Sequence, residues 1–112
     1  MEVEDRQEGN VLIVRLFNNR LDAKDADDFK KMMSDYMAEG RRDFVLDMST
    51  VDFVDSSGLG ALVSVLKSLG ENGRLAVCGV REPVERMFKL TRMNKVFNIF
   101  AAEADAVAAL AT

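Results

Sequence analysis

Between Phe44 and Leu69 the hydrophobic pattern changes its period within a few residues. Phe44-Val45-Leu46 and Phe53-Val54 are apolar and suited to a strand, whereas Leu59, Leu62, Val63, Leu66 and Leu69 recur at helical spacing. The residues between them, Asp55-Ser56-Ser57-Gly58-Leu59-Gly60, therefore join a buried strand to an amphipathic helix. A hydroxyl at a helix start accepts a backbone N–H that has no intrahelical partner, so Ser56 or Ser57 is the expected cap. Gly58 and Gly60 let the backbone pass close to a neighbour. The apolar stripe gives the loop a rigid base, and in open α/β sheets ligands and partners are met just beyond the carboxyl ends of strands. The plain alternative is that both serines are caps and nothing more, and spacing does not separate the two readings.

The rest of the chain supplies the layers around this unit. Glu2 to Gln7 is an expected edge strand, and Glu8-Gly9-Asn10 supplies turn chemistry before the β-branched run Val11 to Phe17, which makes an N-terminal hairpin. Asn18-Asn19 tolerate left-handed backbone. Asp22 is a fitting N-cap for a helix with Asp25, Asp27 and Asp28 at its positive end, a buried face of Ala26, Phe29, Met33, Tyr36 and Met37, and Gly40 as its stop. Arg41 to Met48 is the next strand. Asn72-Gly73 turns the chain into Leu75 to Val80, apolar enough to be covered on both faces. Pro83 suits the first turn of a helix through Val84, Met87 and Phe88. Val96 to Phe100 is an expected final strand, followed by a helix from Glu103 to Ala111. Strands separated by helices predict an α/β fold, a mixed sheet with an N-terminal hairpin and about four helices packed mainly on one side.

At 112 residues the chain is expected to form one domain, residues 1–112. Fifteen basic against 19 acidic residues leave a net charge of −4, which argues against nucleic acid as a partner. The single cysteine, Cys78, lies in an apolar strand run, so it is expected to be buried and inert, and the compartment reducing. No signal pattern is visible and no run approaches the roughly 18 apolar residues of a spanning helix, so no membrane insertion and a cytoplasmic location are expected. The chain has no histidine, which rules out a Ser-His-Asp triad and leaves no catalytic residue to assign. With no paired cysteines either, only carboxylates such as Asp22, Asp25 and Asp55 remain as metal ligands, in no organised spacing, so neither a metal nor a cofactor is expected.

Asp55-Ser56-Ser57-Gly58-Leu59-Gly60, preceded by Phe53-Val54 and followed by Ala61-Leu62, resembles the phosphorylation loop of the bacterial anti-sigma factor antagonists, the stand-alone STAS domains. Asn19-Arg20-Leu21-Asp22 resembles the step before that family's first helix, where the family favours glycine at the position of Asn19. Leu75 to Val80 is similar to its next strand, and Val84-x-x-Met87-Phe88-x-Leu90-Thr91 to its third helix. The likeness runs from about Glu2 to Leu110.

The resemblance implies a substrate and binding module. An anti-sigma factor with serine kinase activity would phosphorylate Ser56, using ATP and Mg²⁺ held by the kinase. The unmodified protein would bind that anti-sigma factor and free a sigma factor, and a serine phosphatase would reset the switch. Partner contacts would fall on Asp22, Asp55, Ser56, Ser57, Gly58, Leu59 and Gly60. Two other classes stand beside this one. A STAS scaffold that is never phosphorylated could serve as a subunit of a transport or lipid-trafficking complex, and a small-ligand sensor could bind a nucleotide or other anion at the helix start.

Overall fold

The computed structural model describes all 112 residues. Strands β1 (Val3–Glu8) and β2 (Val11–Leu16) form the expected antiparallel hairpin, in register from Val3 opposite Leu16 to Glu8 opposite Val11. Gly9 makes the turn at φ +58°, a backbone that a residue with a Cβ rarely adopts. Then follow β3 (Arg20–Leu21), α1 (Ala23–Ala38), β4 (Asp43–Asp47), β5 (Phe53–Val54), α2 (Ser56–Leu69), β6 (Arg74–Cys78), α3 (Glu82–Leu90), β7 (Asn98–Phe100) and α4 (Glu103–Leu110). The main sheet has the order β1-β2-β4-β6-β7, with every pair after the hairpin parallel.

Strand periodicity divides the core in two. Leu12, Val14 and Leu16 of β2, Phe44 and Leu46 of β4, and Leu75 and Val77 of β6 pack with Phe29 and Met33 of α1, Leu62 and Val65 of α2, and Val84 and Phe88 of α3. The alternate residues Val11, Ile13, Val45, Ala76 and Cys78 face the other way and are covered by Ala106 and Leu110 of α4. Three helices thus lie on one face and one on the other. Burial of the strand residues on both faces explains why Leu75 to Cys78 reads as a continuous apolar run.

Beyond shifts of a residue or two at element ends, such as β7 beginning at Asn98 and not Val96, three details differ from the sequence reading. The run from Phe44 to Val54 is not one strand. β4 ends at Asp47, whose carboxylate turns back to accept the Ser49 N–H (2.9 Å). Phe53–Val54 then leaves the main sheet and pairs in parallel with Arg20–Leu21. Asn18-Asn19 do not take left-handed backbone. The Asn18 side chain instead accepts from Glu2 N (3.4 Å) and donates to Asp25 (3.3 Å), fixing the approach to α1 without a left-handed residue. Finally, α2 is rotated about its axis relative to the predicted stripe. Gly58, Ala61, Leu62, Val65 and Leu69 are buried, while Leu59, Val63 and Leu66 are only half-buried at the rim of the core. Truncation of Leu62, rather than Leu66, therefore opens the cavity in this part of the core.

Cys78 lies under α4 and is 1% exposed. Burial, reinforced by the charges of Asp47 and Glu103, pushes its thiol up to about 12. At pH 8 only about one molecule in ten thousand then carries a thiolate. Native protein is expected to resist a disulfide-forming thiol reagent over hours and to react fully within minutes in denaturant. Fast stoichiometric reaction of the native protein would show that α4 does not cover this face.

Candidate functional site

The starts of two helices meet beyond the carboxyl end of the sheet, and one carboxylate serves both. Asp55 Oδ1 accepts the Gly58 N–H (2.9 Å), so Asp55 is the N-cap of α2. Its Oδ2 accepts the Ala23 N–H (3.2 Å), the first residue of α1. Asp22 caps α1 as expected, its Oδ1 accepting from Lys24 N (3.1 Å) and its Oδ2 from Arg20 Nε (3.3 Å). The expectation that Ser56 or Ser57 caps α2 is thus corrected. Asp, Ser and Ser in succession are all good caps, and aspartate wins because its second oxygen also satisfies a donor from α1. Both serines fall in the exposed first turn of α2, with their side chains free of the capping role.

The pairing of β3 with β5 holds the two helix starts together. Arg20 lies opposite Phe53 and Leu21 opposite Val54, while Asp52 N donates to Asn19 O (2.9 Å) and Asp55 N to Leu21 O (3.3 Å). Gly58 is buried where α2 presses on β3, and a Cβ there would sit 2.0 Å from the Leu21 carbonyl oxygen. This is the close backbone approach that the sequence suggested for both glycines. It holds at Gly58 only, since a Cβ at Gly60 would meet nothing within 4 Å. Gly60→Ala is accordingly expected to stabilise the fold by roughly 0.5–1 kcal/mol in urea melts, the helix-propensity gain, and a loss of stability would contradict the open space drawn around it.

Asp22, Asp55, Ser56, Ser57 and Gly60 are brought onto one surface, with Leu59 half-buried at its margin and Gly58 beneath it. Arg20 and Phe53 join them, although sequence reasoning assigned neither to the site. The Arg20 guanidinium stacks 4.2 Å from the Phe53 ring centroid, and the ring remains 39% exposed. Both residues stand in the quoted motifs, but only the β3–β5 ladder, spanning over 30 residues of chain, shows that they touch. The arrangement can present a hydroxyl on a rigid, acidic, partly aromatic surface, above first-turn N–H groups of α2 that have no intrahelical acceptor. The surface concavities of the protein are lined by residues outside Asp55–Gly60.

Comparison with known proteins gives a consistent picture. The STAS domain profile matches residues 2–106. The chain is 30% identical over 112 residues to the anti-sigma F factor antagonist of Paenibacillus polymyxa, covering 98% of this chain and 95% of the relative. A crystal structure of a candidate anti-sigma factor antagonist from Thermotoga maritima superposes with a TM-score of 0.87 at 29% identity, over 96% of this chain and 93% of that one. The Bacillus cell-fate determinant SpoIIAA shares the fold in both of its forms. The unphosphorylated form gives a TM-score of 0.72 at 17% identity, covering 96% of both chains. The phosphorylated form gives 0.71 at 18% identity, covering 96% and 98%. No helix of the chain is long and apolar enough to cross a membrane.

Proposed function

The chain belongs to the STAS domain family, and on that premise we propose that it is an anti-sigma factor antagonist of a partner-switching system. It acts as a regulatory binding protein and not as an enzyme. Unmodified, it binds an anti-sigma factor with serine kinase activity and so frees a sigma factor in the cytoplasm. Phosphorylated on Ser56, it lets the kinase go, and a serine phosphatase restores the binding form. The surface used is Asp22, Asp55, Ser56, Ser57, Gly58, Leu59 and Gly60, to which Arg20 and Phe53 are added.

The observation that carries this reading is the division of labour in the loop. Asp55 caps α2 and also satisfies the Ala23 N–H of α1, which leaves the exposed Ser56 hydroxyl available for group transfer. The kinase would supply ATP and Mg²⁺, the Ser56 oxygen would attack the γ-phosphorus while a base of the kinase takes its proton, and ADP would leave with the bridging oxygen. The product adds about −1.5 to −2 charges beside Asp55 and Asp22, so any partner surface that covers the loop is repelled. Open first-turn N–H groups of α2 hold the phosphate, which lets the change stay at the surface. That SpoIIAA keeps this fold in both its unphosphorylated and its phosphorylated form is in keeping with a switch without refolding.

The test is mass spectrometry after incubation with the cognate kinase and ATP. Phosphate on Ser56 alone is the expected result. Phosphate on Ser57 alone would overturn the assignment of the residue, and an unmodified protein would overturn the switch in favour of a scaffold.

A further inference from the structure

The loop carrying Ser56 starts α2, whereas the segment between α3 and β7 follows the carboxyl end of α3. β2, β4, β6 and β7 are parallel. Asp55–Gly60 lies beyond their carboxyl ends, reached from β4 through β5, whereas α3 runs back from the carboxyl end of β6 and delivers residues 91–97 to the amino end of β7.

At that second end the chain leaves apolar side chains uncovered. Leu90 is 80% exposed and Val96 49%, the two most exposed large hydrophobic residues of the protein. They are interleaved with cations in the order Lys89, Leu90, Arg92, Lys95, Val96. Lys89 pairs with Glu85 (2.9 Å) and lies in the last turn of α3, where the helix dipole favours a cation. That account does not extend to Arg92 and Lys95, which follow the helix and make none of the protein's ion pairs. Arg92 is also the only non-glycine residue at positive φ (62°). It follows the Thr91 C-cap, and the left-handed turn there ends α3 with the Arg92 N–H on Lys89 O (3.2 Å).

We propose that Lys89–Val96 is a second docking surface, separate from the Ser56 loop, for an acidic and apolar segment of a partner protein. Charge complementarity selects this occupant: unpaired cations flank exposed apolar side chains on a chain whose net charge is −4. Two apolar side chains offer little to insert into a membrane. Nucleic acid is disfavoured by the lack of an aromatic side chain in the segment on which a base could stack. Because the surface includes no residue of the Ser56 loop, it is expected to stay available when that residue carries phosphate.

The experiment uses the full chain and a synthetic amphipathic helix of glutamate and leucine, followed by NMR titration. Shifts centred on residues 89–96, with the affinity unchanged in Ser56→Asp, are expected. The double variant Leu90→Ser, Lys95→Glu alters exposed side chains only, so it should melt like the parent protein and bind the peptide at least about tenfold more weakly. Undiminished binding by that variant would overturn the proposal. So would equal binding of a lysine–leucine peptide, absence of binding at millimolar peptide, or capture by phosphatidylserine vesicles in preference to the peptide. Each of these outcomes is independent of whether Ser56 is a kinase substrate.

Discussion

Ser56→Asp is expected to bind the anti-sigma partner roughly 30-fold to several thousandfold more weakly than the parent protein, while Ser56→Ala binds normally and accepts no phosphate. The reason is that a charge forced into an interface without a partner costs about 2–5 kcal/mol. Neighbouring groups offer no relief. The Asp55 carboxylate is held by the N–H groups of Gly58 and Ala23, and Asp22 by Lys24 N and Arg20, so neither acid can swing away from a new negative charge. Arg20, which joins the site, is already engaged by Asp22 and stacked on Phe53. Aspartate carries less charge than phosphate, so the phosphorylated protein should be weaker still, and salt should restore part of the binding. Titration calorimetry with the purified anti-sigma factor measures both variants. Binding of Ser56→Asp within about threefold of the parent would remove charge repulsion as the basis of release.

The second large effect is on stability. Gly58→Ala is expected to cost about 3 kcal/mol, at the upper end of overpacking changes, which lowers Tm by roughly 10–15 °C for a chain of this size. The added Cβ would lie 2.0 Å from the Leu21 carbonyl oxygen, 2.8 Å from its carbon and 3.1 Å from Val54 Cγ1. Two of these neighbours are backbone atoms of β3, which cannot turn aside as a side chain would. Either α2 must lift or β3 must part from β5, and both movements pull on the Asp55 hydrogen bonds. Alanine's better helix propensity returns only about 1 kcal/mol. A melting temperature within about 2 °C of the parent would show that α2 does not press on β3 as described.

Much of this architecture was legible from short-range pattern. Alternating residues in β2, β4 and β6, the turn at Glu8-Gly9-Asn10, Asp22 before α1 and Pro83 at the start of α3 each act within a few residues of themselves. What escaped depends on groups far apart in the chain. Asp55 outcompetes two adjacent serines as a cap only because Ala23 supplies a second donor. The rotation of α2 follows from the contact of Gly58 with Leu21, which places Ala61 and Val65 inward where the leucine stripe alone favoured Leu66. Likewise, Phe53 looked like a buried strand residue. Its short strand pairs outside the main sheet, leaving the ring exposed and available to Arg20.

The outermost strands bear on how the molecule behaves when crowded. β1 carries Glu4, Asp5, Arg6 and Glu8, and every residue after Val3 is exposed, so an approaching strand would have to desolvate charges on both faces of the ribbon. At the far side β7 is only three residues long. Neither border is a template for edge-to-edge pairing, the usual route by which open sheets aggregate. Stacking of copies edge to edge at high local concentration is accordingly disfavoured, and selectivity in encounters is left to helix ends and side chains.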